Sequence, residues 1–514
     1  MKKAIMIVVV SLLSMALMLT GCGSANVDKD APETTQQSTA NNSTPDSGDV
    51  LKDGKKTVLK VVFPGGASSP ASLEGVEAKM NEIIGEHMDA VVDLDILEWG
   101  VFADQQNLIL SSGEDVALMF TFSSSRNYAA SNQVRDITDL CNNYAPEALK
   151  VFGKYIDACR INDKLYGLPT FHEYARASGL VCRTDILEKL QYDTASIKTW
   201  ADLEPLFAKV KEAYPEMNVL SPVEVGSGIL DYYNAGTFDI LTDGVGVYAN
   251  GDGSEVLNIY NTPEFLKLAE VAYDWNKKGY FMSDATTVTD TRQDLLAAGN
   301  TFGYIGIIHP GTATQELKNA GVPVTTIITS DIMLNTSGVN FAQYMVPSAC
   351  STPEKAVKLL EIILTNNDMS NLLMYGLEGK DYVVKDEANK IVGYPEGVDS
   401  SSVGWNNETW LAGNGSLAYV WESDEPGLWE KYLEFNNSGT ISPLFGFTFD
   451  AANVKSEITA VQNVINKYES VICAGYSEPN ASVTKMVSEL DAAGINKIIE
   501  EAKAQIETWK SSNK

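Results

Sequence analysis

Thr57-Val58-Leu59-Lys60-Val61-Val62-Phe63, ended at once by Pro64-Gly65-Gly66, decides the fold of this chain. Seven residues, β-branched or apolar except for one lysine, predict a buried strand, and the Pro-Gly-Gly run stops it. Residues 72–87 then set Val76, Met80, Ile83 and Ile84 on one helical face. Residues 91–99 alternate, with Val92, Leu94 and Ile96 on one side, and predict a second strand. Residues 102–110 read as a helix and the apolar run 116–121 as a third strand. Strand, helix, strand, helix, strand specifies an α/β fold with a mostly parallel sheet and right-handed crossovers. Ligands of such sheets sit at the carboxyl ends of the strands, so positions just after Phe63, Leu97 and Phe120 are candidate site positions, Trp99 among them.

Outward from this unit the textures recur without an internal repeat. Helical periodicity returns at 203–214, 263–278, 353–365, 454–468 and, as one long element, 482–509. Turn-rich stretches at 250–253, 376–379 and 399–404 separate them. Asn250-Gly251-Asp252-Gly253-Ser254 has a calcium-loop flavour. Glu255 stands where an EF-hand needs glycine, however, and Asn261 where it needs the bidentate glutamate, so a hairpin turn is the reading.

The formal net charge is −30, from 68 acidic against 38 basic residues. That excludes nucleic acid as a partner, because phosphate contacts need Lys and Arg. It equally excludes docking on anionic lipid by charge. At the amino end, Lys2 and Lys3 precede an apolar run over residues 4–17 and then Leu19-Thr20-Gly21-Cys22. This has the shape of a secretion signal, too short for a comfortable membrane-spanning helix. The Leu-Thr-Gly-Cys string resembles the lipobox of bacterial lipoproteins, which implies cleavage before Cys22 and lipidation of its thiol. Residues 22–54 then read as a flexible tether, since a Ser/Thr/Asn/Gln/Asp-rich stretch buries too little to offset its ordering entropy. Five further cysteines, Cys141, Cys159, Cys182, Cys350 and Cys473, are sparse and odd in number. They outline neither a disulfide framework nor a zinc site, and free buried thiols are expected.

Catalytic motifs are missing at the sequence level. His87, His172 and His309 are far apart, no His-Glu-x-x-His or Gly-x-Ser-x-Gly occurs, and Gly379-Lys380 runs into Asp381 rather than Ser or Thr. A carboxylate pair for glycoside hydrolysis stays open, though nothing singles one out. Aromatic clustering does stand out. Four of the eight tryptophans, Trp405, Trp410, Trp421 and Trp429, lie in a polar stretch rich in Gly and Asn, with Asn414 nearby. A flat aromatic covers the C–H face of a sugar while amides and carboxylates bind its hydroxyl rim, so Trp410 and Asn414 together offer both contacts. The same aromatics would also serve to staple an irregular segment onto its domain. A second cluster, Leu168-Pro169-Thr170-Phe171-His172-Glu173-Tyr174, reads as an extended crossing between lobes. Glu173 and Tyr174 are candidates to face a cleft there, or to pack the hinge.

The order of several strings resembles extracellular solute-binding proteins of family 1, which serve ABC-type importers of carbohydrates. Those strings are Ser111-Ser112-Gly113-Glu114, Tyr166-Gly167-Leu168-Pro169, Asn261-Thr262-Pro263-Glu264-Phe265, Trp275-Asn276-Lys277-Lys278-Gly279-Tyr280, Tyr375-Gly376-Leu377-Glu378-Gly379-Lys380-Asp381-Tyr382 and Gly446-Phe447-Thr448-Phe449-Asp450. The chain from about 446 is similar to the uncharacterised domain that ends one branch of that family. The resemblance implies a two-lobed, type II periplasmic-binding-protein-like fold with an interlobe ligand cleft and hinge crossings. Its lobes would be 55–168 with 342–400, and 175–335 with 401–514. Crossings fall near 168–174, 336–343 and 404–415. It implies a monomer on the extracellular face of the bacterial membrane, handing a sugar or oligosaccharide to a permease, with no cofactor, no metal and no catalytic residue. Trp410 and Asn414 carry over from the family's Trp-x-x-Gly-Asn-like segment. Trp405, Trp99, Glu173 and Tyr174 complete the expected ligand set. Where the family usually has Asp before the end of the third strand, this chain has Ala117. A peptide or other polar solute, a sensor, or a glycan-active surface protein are the alternatives.

Overall fold

The computed structural model describes residues 50–67, 69–123, 125–405 and 407–512. The expected signal, Cys22 and the tether up to residue 49 lie outside these. Eleven strands build the two larger sheets. In chain order they are β1 (Thr57–Gly65), β2 (Ala90–Glu98), β3 (Leu118–Phe122), β4 (Leu168–Pro169), β5 (Ala175–Arg183), β6 (Asn218–Leu220), β7 (Thr301–Ile308), β8 (Val324–Ile328), β9 (Met333–Leu334), β10 (Ala342–Met345) and β11 (Thr440–Ile441).

The first sheet has the order β2-β1-β3-β10-β4. β1 is parallel to β2 and β3, and β10 is antiparallel to β3 and β4. The expected β-α-β-α-β unit is therefore present. β1 is buried on both faces, which is why its sequence is a continuous apolar run rather than an alternating one. The helix Leu73–His87 covers one face through Val76, Met80 and Ile84. The helix Phe102–Ser112 covers the other, where Ile109 and Leu110 meet Val62, Met119 and Met345.

The second sheet runs β11-β9-β5-β7-β6, with β8 also on β5. β5 is antiparallel to β7, β8 and β9. Its core gathers Leu180, Phe207, Trp275 and Phe302 with Val461, Ile465, Leu490 and Ile498 from the C-terminal helices. The expected long helix over 482–509 is two, Pro479–Ala493 and Ile495–Ser512, broken where Gly494 turns left-handed at φ +99°. The two cores define two lobes, and they correct one expected boundary. Residues 401–435, expected in the second lobe, bury Trp405, Leu411, Ala412, Ala418, Val420, Leu428, Trp429 and Phe435 in the first core.

The crossings follow from strand membership. Residues 170–174 join β4 to β5, and residues 335–341 join β9 to β10. The third is not at 404–415 but at 436–440, where the helix Leu428–Ser438 hands over to β11. Asn436, fully buried, ties the third crossing to the first. Its Oδ1 accepts the N–H of Tyr174 (2.8 Å) and of Ala175 (3.0 Å), and its Nδ2 donates to the His172 carbonyl (3.0 Å). His172, also buried, has Nδ1 3.0 Å from the Thr170 carbonyl and Nε2 3.0 Å from that of Gly338 in the second crossing. Gly338 admits no side chain, because a Cβ there would stand 2.2 Å from the Tyr174 carbonyl oxygen.

Residues 50–54, expected in the tether, are docked on the first lobe. The Asp89 N–H donates to the Leu51 carbonyl, and Gly54 N–H to the Asp89 carboxylate. Buried Lys355 donates to Asp53 Oδ1 (3.0 Å), to the Lys55 and Asp89 carbonyls and to Thr57 Oγ1. Cys141, Cys159, Cys182, Cys350 and Cys473 are all buried and unbridged.

The second core also holds two carboxyls without a cation. Burial, and then the charge of Glu469, pushes Asp231 up to about 7. Burial likewise raises Glu469, whose Oε1 accepts the Tyr260 hydroxyl at 2.7 Å. Asp231 Oδ2 accepts the Gly228 N–H, and the Cys473 thiol lies within hydrogen-bonding reach of the same carboxyl.

Two outcomes are expected. Asn436→Ala removes three buried hydrogen bonds and leaves two backbone N–H groups and a carbonyl unpaired, which should cost about 2–4 kcal/mol in urea unfolding. Because the folded pKa of Asp231 lies above its unfolded value, its contribution is fully present below about pH 4 and is lost as pH rises toward 7. Asp231→Asn should therefore raise the unfolding midpoint more at pH 8 than at pH 5; an equal change at both would refute the buried-acid account.

Candidate functional site

The first sheet turns one end toward the crossings. β4 leaves from that end, β3 finishes there at Phe122, and antiparallel β10 begins there opposite it. The second sheet does the same, since β7 and β8 finish where antiparallel β5 begins. The interlobe cleft implied by the two-lobed fold lies between these two ends.

On the first-lobe wall of that cleft the structure gathers Trp99, which follows β2, Phe122 at the end of β3, Phe341 in the second crossing, and Trp410. Trp99 and Trp410 have ring centroids 5.8 Å apart, Trp410 and Phe122 5.6 Å, and Phe122 and Phe341 5.4 Å. Phe120 packs beneath, 6.1 Å from Trp410 and fully buried. The four upper rings are not closed off. Trp99 is 42 % exposed and Phe341 37 %, and Trp410 and Phe122 are half-buried. The wall is thus a partly exposed apolar surface at the edge where the crossings leave.

The indole N–H groups separate platform from scaffold. Trp405 donates to the Leu373 carbonyl (3.0 Å), Trp429 to that of Tyr419 (3.1 Å) and Trp275 to Glu204 (3.4 Å). All three are buried. Trp99 and Trp410 donate to no described residue, so their ring faces and donors are not taken up by the described fold.

Three of the expected ligand residues are engaged inside the fold instead. Trp405 is 3 % exposed with its donor in use. Asn414 is fully buried. Its Nδ2 donates to the Leu364 carbonyl, and its Oδ1 accepts the Ser416 N–H and hydroxyl, capping the turn Gly415–Leu417. It therefore has no amide left for a hydroxyl rim. What it does is hold the segment that carries Trp410. The Tyr344 hydroxyl to the Leu411 carbonyl (3.0 Å) and the Phe171 N–H to the Gly413 carbonyl (2.7 Å) complete that anchorage. Gly413, at φ +94°, lies where a Cβ would meet Ile363 at 2.7 Å. Tyr174 is 1 % exposed, donates to the Thr170 carbonyl and packs on Tyr155 and His172, so it belongs to the hinge. Glu173, half-buried, stands beside Tyr432, whose phenol burial and that carboxylate hold protonated. From the second lobe, Tyr232 donates to Glu224 (3.0 Å), with Arg176 near it; burial pushes this phenol up to about 12. Phe122 and Phe341 were absent from the residue expectations, although the strand-end rule and the crossing at 336–343 marked their positions.

Two lobes joined by three crossings, with an aromatic wall at the crossing edge of the first, define the two-lobed solute-binding class. A family model described as bacterial extracellular solute-binding protein matches residues 70–369, and the chain belongs to that family. A second model, a domain of unknown function, matches residues 443–511. Among relatives, a carbohydrate ABC transporter substrate-binding protein of Streptococcus pneumoniae is 25% identical over 487 residues, 92% of this chain and 95% of that protein. Among solved structures, the N-glycan transport solute-binding protein NgtS of S. pneumoniae shares 22% identity at TM-score 0.77, covering 89% of this chain and 100% of that one. The same protein with Man1GlcNAc gives a TM-score of 0.66 and with Man5GlcNAc 0.63. Membership of an extracellular family implies an extracellular or periplasmic location.

Trp99→Ala, which removes a ring that is 42 % exposed and packed at one edge of the wall, should cost about 1 kcal/mol. Asn414→Ala should cost about 2–3 kcal/mol through the carbonyl and N–H groups it leaves unpaired. Urea unfolding of the two variants checks this; equal losses would mean that the wall is part of the core rather than a surface held ready.

Proposed function

We propose that this protein is a lipid-anchored extracellular receptor that captures a sugar or oligosaccharide between its lobes and delivers it to the permease of an ABC importer. The observation that carries the reading is the partly exposed wall of Trp99, Trp410, Phe122 and Phe341 at the crossing edge, with two indole donors that meet no acceptor among the described residues. Sugar C–H faces stack on such rings, and hinge closure excludes water so that each hydroxyl left unpaired becomes costly. The relatives support the same direction: one is a carbohydrate importer subunit, and another is solved with N-glycan fragments. Cys22, behind Leu19-Thr20-Gly21, is the proposed lipidation site, and the receptor acts as a monomer without catalytic turnover.

Thermal unfolding of the domain from residue 50, with a panel of mono- and oligosaccharides, amino acids and peptides, tests the ligand class. Man1GlcNAc and Man5GlcNAc are in the panel as the fragments seen in the pneumococcal relative. A ligand at a hundredfold excess over its dissociation constant stabilises by about 2.7 kcal/mol, a clear upward shift. A shift with glycans that Trp410→Ala abolishes is expected; a shift with peptides alone would overturn the carbohydrate reading. Cys22→Ala should move the protein from the membrane fraction to the medium.

A further inference from the structure

A second aromatic hollow is lined by residues of both lobes. Tyr375, Tyr394 and Trp421 line it, with Asn407, Asp424 and Lys318 at its rim. Trp421 stands edge-on to Tyr394 at 4.6 Å and lies 5.5 Å from Tyr375. It is half-buried, and its indole donates to no described residue, as at Trp99 and Trp410. A narrow depression at the carboxyl end of β1, lined by Gly65, Gly66 and Pro70, shares both Trp405 and Asn407 with this hollow. Trp405 and Asn407 thus border both hollows, in the same segment that carries Trp410.

Two features give it a role distinct from that of the first wall. The first is its contact with both lobes. Lys318 comes from the helix Thr312–Ala320 of the second lobe, and its Nζ lies 2.6 Å from Asp424 Oδ1. Glu425, the next residue, accepts the Gly311 N–H at 3.1 Å where that helix starts. The segment that begins with Trp421 thus grips a helix of the other lobe near both of its ends. The second is charge. Lys318 is the one cation lining the hollow among the described residues, and it is already paired. Asp381 behind it, 1 % exposed, accepts the Ser72 hydroxyl (2.8 Å) and the Leu377 N–H (2.9 Å). No positive charge is free to meet an acidic sugar. The volume, about 170 Å³, is below the roughly 300–1,000 Å³ of a complete small-molecule site and suits one ring of a larger ligand.

We propose that this hollow takes a second, neutral hexopyranose ring of the same glycan whose first ring lies on Trp410, so that the receptor selects oligosaccharides long enough to reach both. This rests on the carbohydrate reading above. A short ligand touches the first wall only. A longer one also meets the surface where Lys318 and Asp424 join the lobes, and gains from both.

Isothermal titration tests this with the shortest and the longest glycans that the parent protein binds in the panel, beginning with the disaccharide and the hexasaccharide named there. Trp421→Ala should weaken the longer glycan by about tenfold and leave the shorter within about twofold. Tyr394→Ala reads the same hollow should the tryptophan variant fail to fold. Lys318→Met should act in the same direction on the longer glycan. Trp410→Ala should weaken both. Equal losses for both glycans, or none, in Trp421→Ala and Tyr394→Ala would overturn the second subsite while Trp410→Ala still upholds the first. A parent protein that binds no glycan overturns both.

Discussion

One buried amide, that of Asn436, holds the third crossing to the first, and the rest of the structure turns about that junction. Three hydrogen bonds from a single side chain fix the backbone of 172–175, and the His172 ring reaches across to the second crossing at Gly338. In a site shut off from water such bonds are directional and costly to break, so the axis between the lobes has little freedom to slide. Under the proposed function, closure would be a rotation about a defined line rather than a general loosening. Gly338 shows how tight that line is, because the second crossing passes the first at a distance that only a hydrogen in place of a side chain permits.

Against this fixed axis the aromatic residues divide by what their polar atoms do. A tryptophan that belongs to a core hands its N–H to a backbone carbonyl, as Trp405 and Trp429 do, since a buried donor without an acceptor is expensive. Trp99, Trp410 and Trp421 leave theirs to solvent, and each stands at a cleft or hollow. Such surface leaves apolar area exposed, and under the proposed function a ligand covers it. Asn414 and Trp410, four residues apart, show the complementary division. The amide is consumed in holding the turn, and the turn holds the ring.

Much of the first lobe was legible because its signals are local. The runs from Val58 to Phe63 and from Val92 to Ile96, and the helical face of Val76, Met80 and Ile84, state their periodicity within a dozen residues. The split at Gly494 was not legible, as apolar residues keep helical spacing on both sides and only the backbone angle marks the break. The lobe to which residues 401–435 belong, and the third crossing at 436–440, depend on which distant surfaces they meet; local pattern carries no such information. The candidate site divides in the same manner. Residue type pointed to Trp410 and Asn414 alike, but direction, which sends one ring to the cleft and one amide to the interior, is a tertiary property. Phe122 and Phe341 lie at positions that topology marks, in sequence that looks like ordinary core.

The docking of residues 50–54 has a mechanical consequence. They are fastened by Lys355 and Asp89 at the amino ends of β1 and β2, while the aromatic wall stands at the carboxyl ends of the same sheet, about 30 Å away along nine residues of β1. Any pull on the chain upstream of residue 50 is therefore borne by the first lobe, on its far side from the ligand. The first lobe becomes the stator and the second the rotor. Under the anchoring proposed above, a pull from upstream would be carried by that lobe without passing through the three crossings, and so would neither open nor close the lobes.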